Sequence, residues 1–517
     1  MIMKHVGVRV WEAALVAVSL ASLGLTGAAV ALPSAPEYGD IDQSKTGSVI
    51  IHKHERQNGT SETASPDGSA SISTPGIEDV EFTLYRVAGL DMSDPATWDE
   101  MATWIAPSVL DDASAATTTI NNHALTTPGV KVTTDATGLA TASNLPVGAY
   151  VVAETRHPSQ VVDIAQPFIV TIPFPDNARP SGATNGWLYD VNVYPKNGVG
   201  SIDKTVSEQT GLGLGSIVSF PVTVGVAKIA DNASFSYYVV HDPMDSRLTD
   251  VKVASVTVDG TAVPATHWKE TVTGQDVDLS FTQAGLAWLK TIAGKQIVVT
   301  FQGKVNSLGA DGIIRNKAEL YSDTQVTPDP PVTPPTTPPS NPPTAPPTSP
   351  EVRTNWGDVV ISKLDAADHS SGLSGAEFEV YEAQTPYAAD CSTAQATGNA
   401  LTVSSGASFV TAVGGKVTIP GLFVSDSKNA PADAAQRCYV IKEIKAPAGY
   451  VLPTGSAAFT PVTVKTGVTN GVDVTVEDSK NSMPPLPLTG AAGLVVLTVA
   501  GVLLLGAAVF LVIKRRA

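Results

Sequence analysis

The sequence predicts an all-β protein built from tandem β-sandwich domains. Among its 517 residues, 43% are hydrophobic and only 6% are aromatic, whereas Gly and Pro number 43 and 38. Such a composition provides apolar side chains for several cores and many turns between short strands. Segments with alternating apolar residues recur between these turns, and no long amphipathic helical pattern competes with them. Both observations favour sandwiches of the immunoglobulin type.

The charge and the histidine pattern exclude several classes of function. Phosphate neutralisation requires clustered Lys and Arg, so a chain with a formal net charge of −17 is not expected to bind nucleic acid. The eight histidines show no metal-ligand spacing, and the chain has neither a phosphate-binding loop nor a nucleophile elbow. We therefore expect no cofactor, no metal site and no enzymatic activity beyond bond formation within the chain itself.

Residues 1–31 have the features of a secretory signal peptide. A short basic start with Lys4 and Arg9 precedes an apolar run that extends to Val30. An N-terminal membrane anchor is the alternative, but the small residues at 29–31 form a cleavage site and favour removal of the segment. The mature chain is therefore expected to be secreted.

The C-terminus carries a second targeting signal. Residues 491–513 are apolar and long enough to span a bilayer, and the basic residues 514–516 favour a cytoplasmic tail. The pentapeptide before this span consists of Leu486, Pro487, Leu488, Thr489 and Gly490. It resembles the LPxTG sorting signal of Gram-positive surface proteins, in which a sortase cysteine cleaves between Thr and Gly and transfers the Thr carboxyl group to an amine. The resemblance implies cleavage after Thr489 and a precursor that is bound to the membrane only transiently.

A proline-rich segment divides the region between the two ends. Residues 327–350 contain twelve prolines in twenty-four positions, which predicts a semi-rigid, exposed polyproline II spacer. We expect this spacer to separate the last domain from everything before it. The predicted organisation is a signal peptide at 1–31, an N-terminal domain at 32–198, a middle domain at 199–326, the spacer at 327–350, a C-terminal domain at 351–482, and the sorting signal with its span and tail at 486–517.

Three lysines each lie on the apolar face of a different predicted strand. Side chains alternate between the two faces of a strand, so Lys53 points the same way as Val49 and Ile51. Lys204 and Lys363 repeat this pattern. The acids with the same property are Glu154, Asp242 and Glu443. A lysine and a carboxylate that face one core are costly unless paired, and a buried or snorkelling salt bridge is the simple interpretation.

Repetition of this pattern at the first strand of each domain favours an intramolecular isopeptide bond. Burial lowers the pKa of a lysine and raises that of a carboxylic acid, and a neutral amine is a nucleophile. A protonated Glu or Asp can polarise an Asn side-chain amide, so that the amine attacks Cγ and ammonia leaves. The predicted sets are Lys53–Asn197 with Glu154, Lys204–Asn316 with Asp242, and Lys363–Asn481 with Glu443. Asn481 has the opposite strand parity to Val474 and Val476, so the last pair requires a β-bulge near Ser479.

Two further motifs resemble those of one known family. Residues 187–197 (WLYDVNVYPKN) are similar to the pilin motif WxxxVxVYPKN, and residues 439–452 (YVIKEIKAPAGYVL) are similar to the E-box. Together with the sorting signal, they resemble the major, or shaft, subunits of sortase-assembled pili of Gram-positive bacteria. Those subunits are strings of Cna B-type and related Ig-like domains. The resemblance implies that Lys196 is the acceptor amine for Thr489 of the next subunit.

The same resemblance implies the partners and the location of the chain. The partners are identical subunits joined head to tail, pilin-specific and housekeeping sortases, peptidoglycan, and tip and base pilins. Lys196 has the opposite parity to Val191, Val193 and Asn197, so we expect it to face solvent, where a sortase can reach it. The chain is then a structural subunit of a wall-anchored extracellular pilus that supports adhesion.

Two other functions remain open at this point. A monomeric wall-anchored adhesin that binds a host or matrix ligand is the main alternative, but such a protein does not need the pilin motif. A wall-anchored enzyme is disfavoured because the sequence shows no catalytic constellation.

The two cysteines, Cys391 and Cys438, both lie in the predicted C-terminal domain. Pairing is the default in an exported protein, and two unpaired thiols are the alternative. We expect a disulfide between them.

Overall fold

The structure is a computed structural model. It describes residues 38–57, 65–69, 72–175, 186–342, 345–404 and 406–481, with 498, 501–506, 508, 511 and 514 from the C-terminal end. The predicted signal peptide, the sorting pentapeptide and most of the predicted span at 491–513 lie outside the described residues. In the described part of the chain, no helix is both long enough and apolar enough to cross a membrane.

The described residues form three groups of strands, which we call the first, second and third modules. The first module contains β1 (Thr46–His52), β2 (His54–Glu55), β3 (Glu81–Arg86), α1 (Pro95–Met101), α2 (Asp112–Ala115), β4 (Thr119–Ile120), β5 (His123–Ala124), β6 (Val130–Thr133), β7 (Leu139–Pro146), β8 (Gly148–Arg156), β9 (Val161–Asp163), β10 (Phe168–Ile172), β11 (Phe174–Pro175), β12 (Trp187–Leu188), β13 (Asp190–Val193) and β14 (Lys196–Val199).

The second and third modules follow in chain order. The second contains β15 (Ser201–Lys204), β16 (Ile217–Gly225), β17 (Ser234–Pro243), β18 (Leu248–Val258), β19 (Thr261–Ala262), β20 (Trp268–Thr273), β21 (Asp276–Phe281), α3 (Gln283–Thr291), β22 (Gln296–Val305), β23 (Ile313–Asn316) and β24 (Glu319–Gln325). The third contains β25 (Val352–Asp365), β26 (Asp368–Gly372), β27 (Glu377–Ala383), β28 (Ala396–Thr397), β29 (Phe409–Val410), β30 (Lys416–Asp426), β31 (Gln436–Lys445), β32 (Phe459–Lys465) and β33 (Val474–Asp478). Short 3₁₀ turns lie at Tyr38–Asp40 and Gly455–Ala458.

The first module packs two main sheets against each other. One has the strand order β13–β1–β7 and the other β10–β8–β3–β6, while β14 lies between β2 and β9 in a third, short sheet. Val49 and Ile51 of β1 alternate toward the core, where they meet Phe82 of β3 and Val152 of β8. Two short helices and a smaller apolar cluster cover the outer face of the second sheet.

The second and third modules are also pairs of facing sheets. In the second, β15–β16–β22–β18–β19 faces β20–β21–β17–β24, and α3 packs against β17 and β21. In the third, β25 lies between β30 and β33, and this sheet faces β28–β27–β31–β32. Every second residue of β16, from Val218 to Val224, is buried, as strand alternation requires. The all-β tandem-sandwich prediction is confirmed.

The predicted disulfide is confirmed in the third module. Cys391 and Cys438 are bonded through their sulfur atoms at 2.03 Å, and both side chains are buried. The bond ties the loop after β27 to strand β31.

The expectation that residues 327–350 separate the third module from the rest is wrong. The first half of β25 pairs antiparallel with β23, so that Val352 lies opposite Asn316 and Asn355 lies opposite Ile313. Buried residues of the second and third modules form a single apolar cluster. Proline lacks the N–H that a ladder needs, so the proline-rich chain leaves the sheets after β24, but it then returns beside the start of that strand, at Ala318 and Leu320.

The end of the proline-rich segment is bound to β24. The N–H of Leu320 donates to the carbonyl of Pro347 (3.0 Å), and the N–H of Ser349 donates to the carbonyl of Ala318 (2.8 Å). Ser349 is buried. These bonds cover an edge strand whose backbone groups would otherwise be unpaired.

The first and second modules meet at Asp163, which ends β9. Its buried carboxylate accepts hydrogen bonds from the N–H of Ala230 (3.1 Å) and from Oγ1 of Thr324 (3.0 Å), both in the second module. Burial raises the pKa of Asp163. Pro342, Pro346 and Pro347 line a cleft at this junction.

Candidate functional site

The three predicted lysines occupy equivalent positions in the three modules. Lys53 directly follows β1, Lys204 ends β15, and Lys363 lies in β25. Each side chain has no exposed surface, because each falls on the core-facing parity of its strand. Each ammonium group also lies over a phenylalanine ring, at 5.4 to 5.9 Å from the centroids of Phe82, Phe220 and Phe378. Such surroundings disfavour a charged amine unless an acid lies close by.

The site of the first module brings all three predicted residues into contact. Nζ of Lys53 lies 2.5 Å from Oδ1 of Asn197 and 2.8 Å from Oε2 of Glu154. Nδ2 of Asn197 donates to Oε1 of Glu154 (2.7 Å). The acid thus holds the amine with one oxygen and the amide with the other. Burial lowers the pKa of Lys53, and the charge of Glu154 opposes this effect.

The second module also brings its three residues together, but the side-chain amide of Asn316 is held by fewer hydrogen bonds than that of Asn197. Nζ of Lys204 donates to Oδ2 of Asp242 (2.5 Å), and Asn316 is buried beside them. Burial lowers the pKa of Lys204 and raises the pKa of Asp242, so both shifts make a neutral amine and a protonated acid less costly. Nδ2 of Asn316 points to the sulfur of Met244 (3.3 Å). In the described part of the chain, Oδ1 of Asn316 and Oδ1 of Asp242 are buried without hydrogen-bond partners.

The third module contradicts the assignment of Asn481. Asn481 is exposed, and its N–H donates to the carbonyl of Gly449. The residue of β33 that contacts the Lys363 amine is instead Asp478, whose Oδ1 lies 2.6 Å from Nζ, while Oε2 of Glu443 lies 2.6 Å away as well. The bulge proposed near Ser479 is unnecessary, because β33 runs parallel to β25 in a continuous register that ends at Asp478.

The alternation of side chains along the strand is enough to predict that Asp478 faces the core. Asp478 shares the parity of Val474 and Val476, and its side chain is fully buried. The prediction failed because it admitted only asparagine as the reacting partner. A carboxylic acid reacts in the same way, with water instead of ammonia as the leaving group.

The electrostatics of the third site favour this acid chemistry. The pKa of Glu443 is raised to about 7. Burial is the main cause, the nearby Asp478 adds to it, and Lys363 opposes both. Oε1 of Glu443 has no hydrogen-bond partner in the described residues. Two carboxyl groups that share one buried amine therefore hold a proton near neutral pH, which is what activation of a carboxyl carbon requires.

The predicted acceptor, Lys196, begins β14. It precedes the buried Asn197, so its side chain points to the opposite face of the strand. It is half-buried rather than fully exposed as expected, because β14 lies between β2 and β9. Its carbonyl accepts a hydrogen bond from the guanidinium group of Arg56 (3.1 Å). Thr489 lies outside the described residues.

Comparison with family models covers most of the chain. Residues 44–198 match the N-terminal domain D1 of Gram-positive pilin subunits, residues 357–480 match a prealbumin-like fold domain, and residues 478–517 match the LPXTG cell wall anchor motif. The fold, the buried lysine–acid sites and the anchor together define a cell wall-anchored protein of tandem β-sandwiches.

Comparison with individual proteins shows which family within this class the chain belongs to. The chain is 39% identical to the type 2 fimbrial subunit of Actinomyces naeslundii, over 96% of this chain and 94% of the relative. It is 31% identical to the type 1 fimbrial subunit of Actinomyces viscosus, over 95% and 94%. The solved full-length major pilin SpaD of Corynebacterium diphtheriae shares the fold, with a TM-score of 0.64 and 24% identity over 86% of this chain and all of that one. The chain belongs to the family of Gram-positive fimbrial subunits and is a cell wall-anchored pilus subunit.

Proposed function

We propose that this chain is the repeating unit of a covalent polymer in which Thr489 of one subunit is bonded to Nζ of Lys196 in the next. A sortase cysteine cleaves the Thr489–Gly490 bond and holds the Thr acyl group as a thioester. The amine of Lys196 displaces the thiolate, and the fragment that begins at Gly490 is released. A pilin-specific sortase repeats this step, and a housekeeping sortase transfers the last subunit to peptidoglycan. Tip and base pilins complete the fibre, which grows as an open head-to-tail assembly.

The observation that carries this proposal is the position of Lys196 beside an internal site. Lys196 and Asn197 are neighbours on β14 and point to opposite faces of it. Asn197 contacts Lys53 at 2.5 Å inside the module. The strand that accepts the neighbouring subunit is therefore the strand that the module ties to its own first strand, so tension at Lys196 passes into a covalent bond.

Internal isopeptide bonds in all three modules are the second part of the proposal. In the first and second modules, the lysine amine attacks Cγ of Asn197 or Asn316, the amide C–N bond breaks, and ammonia leaves. In the third, Lys363 attacks Cγ of Asp478, and water leaves. Glu154, Asp242 and Glu443 are the acids that receive and return the proton. The short contacts and the burial of each set support this chemistry.

Wall extracts boiled in detergent and reductant test the intermolecular bond. Wild-type cells should show a ladder of high-mass species when probed with antibodies against the subunit. Lys196→Ala and Lys196→Arg should collapse the ladder to monomer, because neither side chain provides an acceptor amine. Lys131→Ala removes an exposed lysine of the same module and should leave the ladder intact. A ladder that persists in Lys196→Arg would reject this acceptor.

A further inference from the structure

The second module differs from the others in what holds its closing strand. In the first module, β14 with Asn197 is paired with β2 and β9 of the same module. In the third, β33 with Asp478 is paired with β25 of the same module. Strand β23 carries Asn316, and in the described part of the chain its strand partner is β25 of the third module. The reacting amide of one module is thus positioned by the backbone of another.

The pairing of β23 with β25 is continuous, and Ile314 and Asn316 of β23 are buried. All four residues of β23 have partners in β25, from Ile313 opposite Asn355 to Asn316 opposite Val352. The N–H of Trp356 extends this ladder with a bond to the carbonyl of Gly312 (2.8 Å). The side chains of Trp356 and Val352 are buried in the apolar cluster that the two modules share.

The chain after the other reactant, Lys204, is also bound to the third module. The N–H of Leu214 donates to the carbonyl of Gly421 (2.8 Å), and the N–H of Phe423 donates to the carbonyl of Leu212 (2.8 Å). Nδ2 of Asn429 donates to the carbonyl of Val206 (3.2 Å). Both strands that carry the reacting groups therefore continue into contacts with the third module.

The second module holds the amide of Asn316 less completely than the first module holds the amide of Asn197. Oδ1 of Asn316 has no hydrogen-bond partner in the described residues, while Nδ2 points to the sulfur of Met244, a weak acceptor, and interacts with Asp242. This contrasts with Asn197, whose two side-chain atoms are both held by Lys53 and Glu154. The placement of Asn316 therefore depends on the backbone register of β23.

We propose that the third module is a positioning template for the bond between Lys204 and Asn316, and that residues Val352–Asn355 of β25 set the register of β23 for this reaction. The inference rests on the proposed function, since it assumes that this bond forms. The reaction itself is unchanged: Nζ of Lys204 bonds to Cγ of Asn316, and ammonia leaves. The template imposes an order of events, because the bond between Lys204 and Asn316 forms only after the third module has folded.

A proline in β25 tests the template. The N–H and carbonyl of Arg353 face β30, where they bond to Ser427, and the N–H of Trp356 faces β23. Alternation along the strand therefore directs the N–H of Thr354 toward β23. Thr354→Pro removes this donor. Two controls are matched to it: Arg353→Pro places the same ring on the β30 side, and Thr354→Val removes the hydroxyl that binds Nε1 of Trp356 but keeps the N–H.

Peptide mapping of the full-length secreted chain provides the readout for each module separately. We expect Thr354→Pro to lower the yield of the Lys204–Asn316 peptide by about tenfold or more, since misplacement of reacting groups by about 1 Å can cost about 10²-fold in rate. The Lys53–Asn197 peptide should form normally in every variant. Both controls should retain the Lys204–Asn316 peptide.

The outcomes separate this inference from the proposed function. If wild-type protein lacks the Lys204–Asn316 peptide, the proposed bond itself is wrong. If wild-type protein has it and Thr354→Pro retains it at full yield, whether or not the third module stays folded, the template is overturned. Equal loss in Thr354→Val or in Arg353→Pro would also overturn it, since the effect would then not depend on the backbone donor to β23.

Discussion

At Lys363, one buried amine faces two carboxyl groups that compete for the same proton. Glu443 and Asp478 each approach Nζ at 2.6 Å, yet only Asp478 lies on the strand that runs beside the lysine. The geometry therefore separates the roles: Asp478 provides the carbon that is attacked, and Glu443 handles the proton. In the first module, the same two roles fall to Asn197 and Glu154.

Substitution of Asp478 should abolish the third bond, whereas substitution of Asn481 should not. Asp478→Ala removes the carbon that Lys363 attacks, and the mass of the module should rise by one retained water after correction for the side chain. Asn481→Ala is the matched control, because Asn481 is exposed and points away from the site. Intact-mass measurement distinguishes the two. A bond lost in Asn481→Ala and retained in Asp478→Ala would restore the original assignment.

Glu443 should make an unlinked third module less stable as pH rises. In Lys363→Met no bond forms, and the pKa of Glu443 should lie at or above about 7, because Lys363 lowers it in the native site. The folded state then binds the proton more tightly than the unfolded chain, so this contribution is full below about pH 4.5 and is lost as pH rises through 7. The loss should be on the order of 3 kcal/mol.

Denaturant unfolding of Lys363→Met between pH 4 and 8 measures this dependence. The double variant Lys363→Met, Glu443→Gln is the control and should lack the loss of stability near pH 7 that the single variant shows. Stability that increases with pH in the single variant would show that Glu443 is not held in its neutral form.

At the scale of elements, the proline-rich segment leaves the β-sheets and then rejoins them. Its end is bound to the start of β24, and the chain then enters β25 beside β23, the strand before β24. Two modules can therefore share one core although twenty-four residues rich in proline lie between their strands.

A cut in the proline-rich segment should leave the second and third modules associated. A broad-specificity protease is expected to cleave within 327–342, since residues 347–349 are bound to the start of β24. The two fragments should co-elute in gel filtration, because β23 and β25 and the shared core hold them together. They should separate in a denaturing gel, because none of the proposed bonds joins them. Fragments that separate under native conditions would contradict the shared core.

At the scale of the whole molecule, the three modules differ in how they are joined. The second and third form one continuous core, whereas the first has an apolar cluster of its own and is hydrogen-bonded to the second at Asp163. In the proposed fibre, each module's first strand is bonded to a late strand, so a strand cannot peel from its end. A bond that closes a loop of roughly a hundred residues adds about 4–5 kcal/mol through the unfolded state.

The mass of the secreted chain should report all internal bonds at once. We expect a deficit of two ammonia molecules and one water relative to the sequence, together with two hydrogens for the disulfide. Asp242→Ala should restore one ammonia, and Glu443→Ala should restore the water, because each acid serves one site. A mass equal to the disulfide-corrected sequence mass would reject all three bonds and leave ordinary buried salt bridges.

Strand alternation made most of each site predictable from the sequence. It is a local property with period two, so it shows which side chains face a core without knowledge of the partner strand. Lys53, Lys204 and Lys363 and their acids were found in this way, and the structure buries all of them. The pilin motif and the anchor are likewise continuous stretches of chain, which is why the family could be predicted from them.

Pairing between distant strands was decided only by the tertiary structure. Alternation gives the face of a side chain but not its neighbour across the sheet. It places Asp478 on the core-facing side of its strand, but it could not show that Asp478 contacts Lys363 or place β23 beside β25. A proline-rich stretch shows where the chain leaves a sheet, because proline has no N–H to donate, but not whether the chain returns. The return is fixed by burial of Val352 and Trp356 in a core that both modules share, and such burial depends on residues far apart in the sequence.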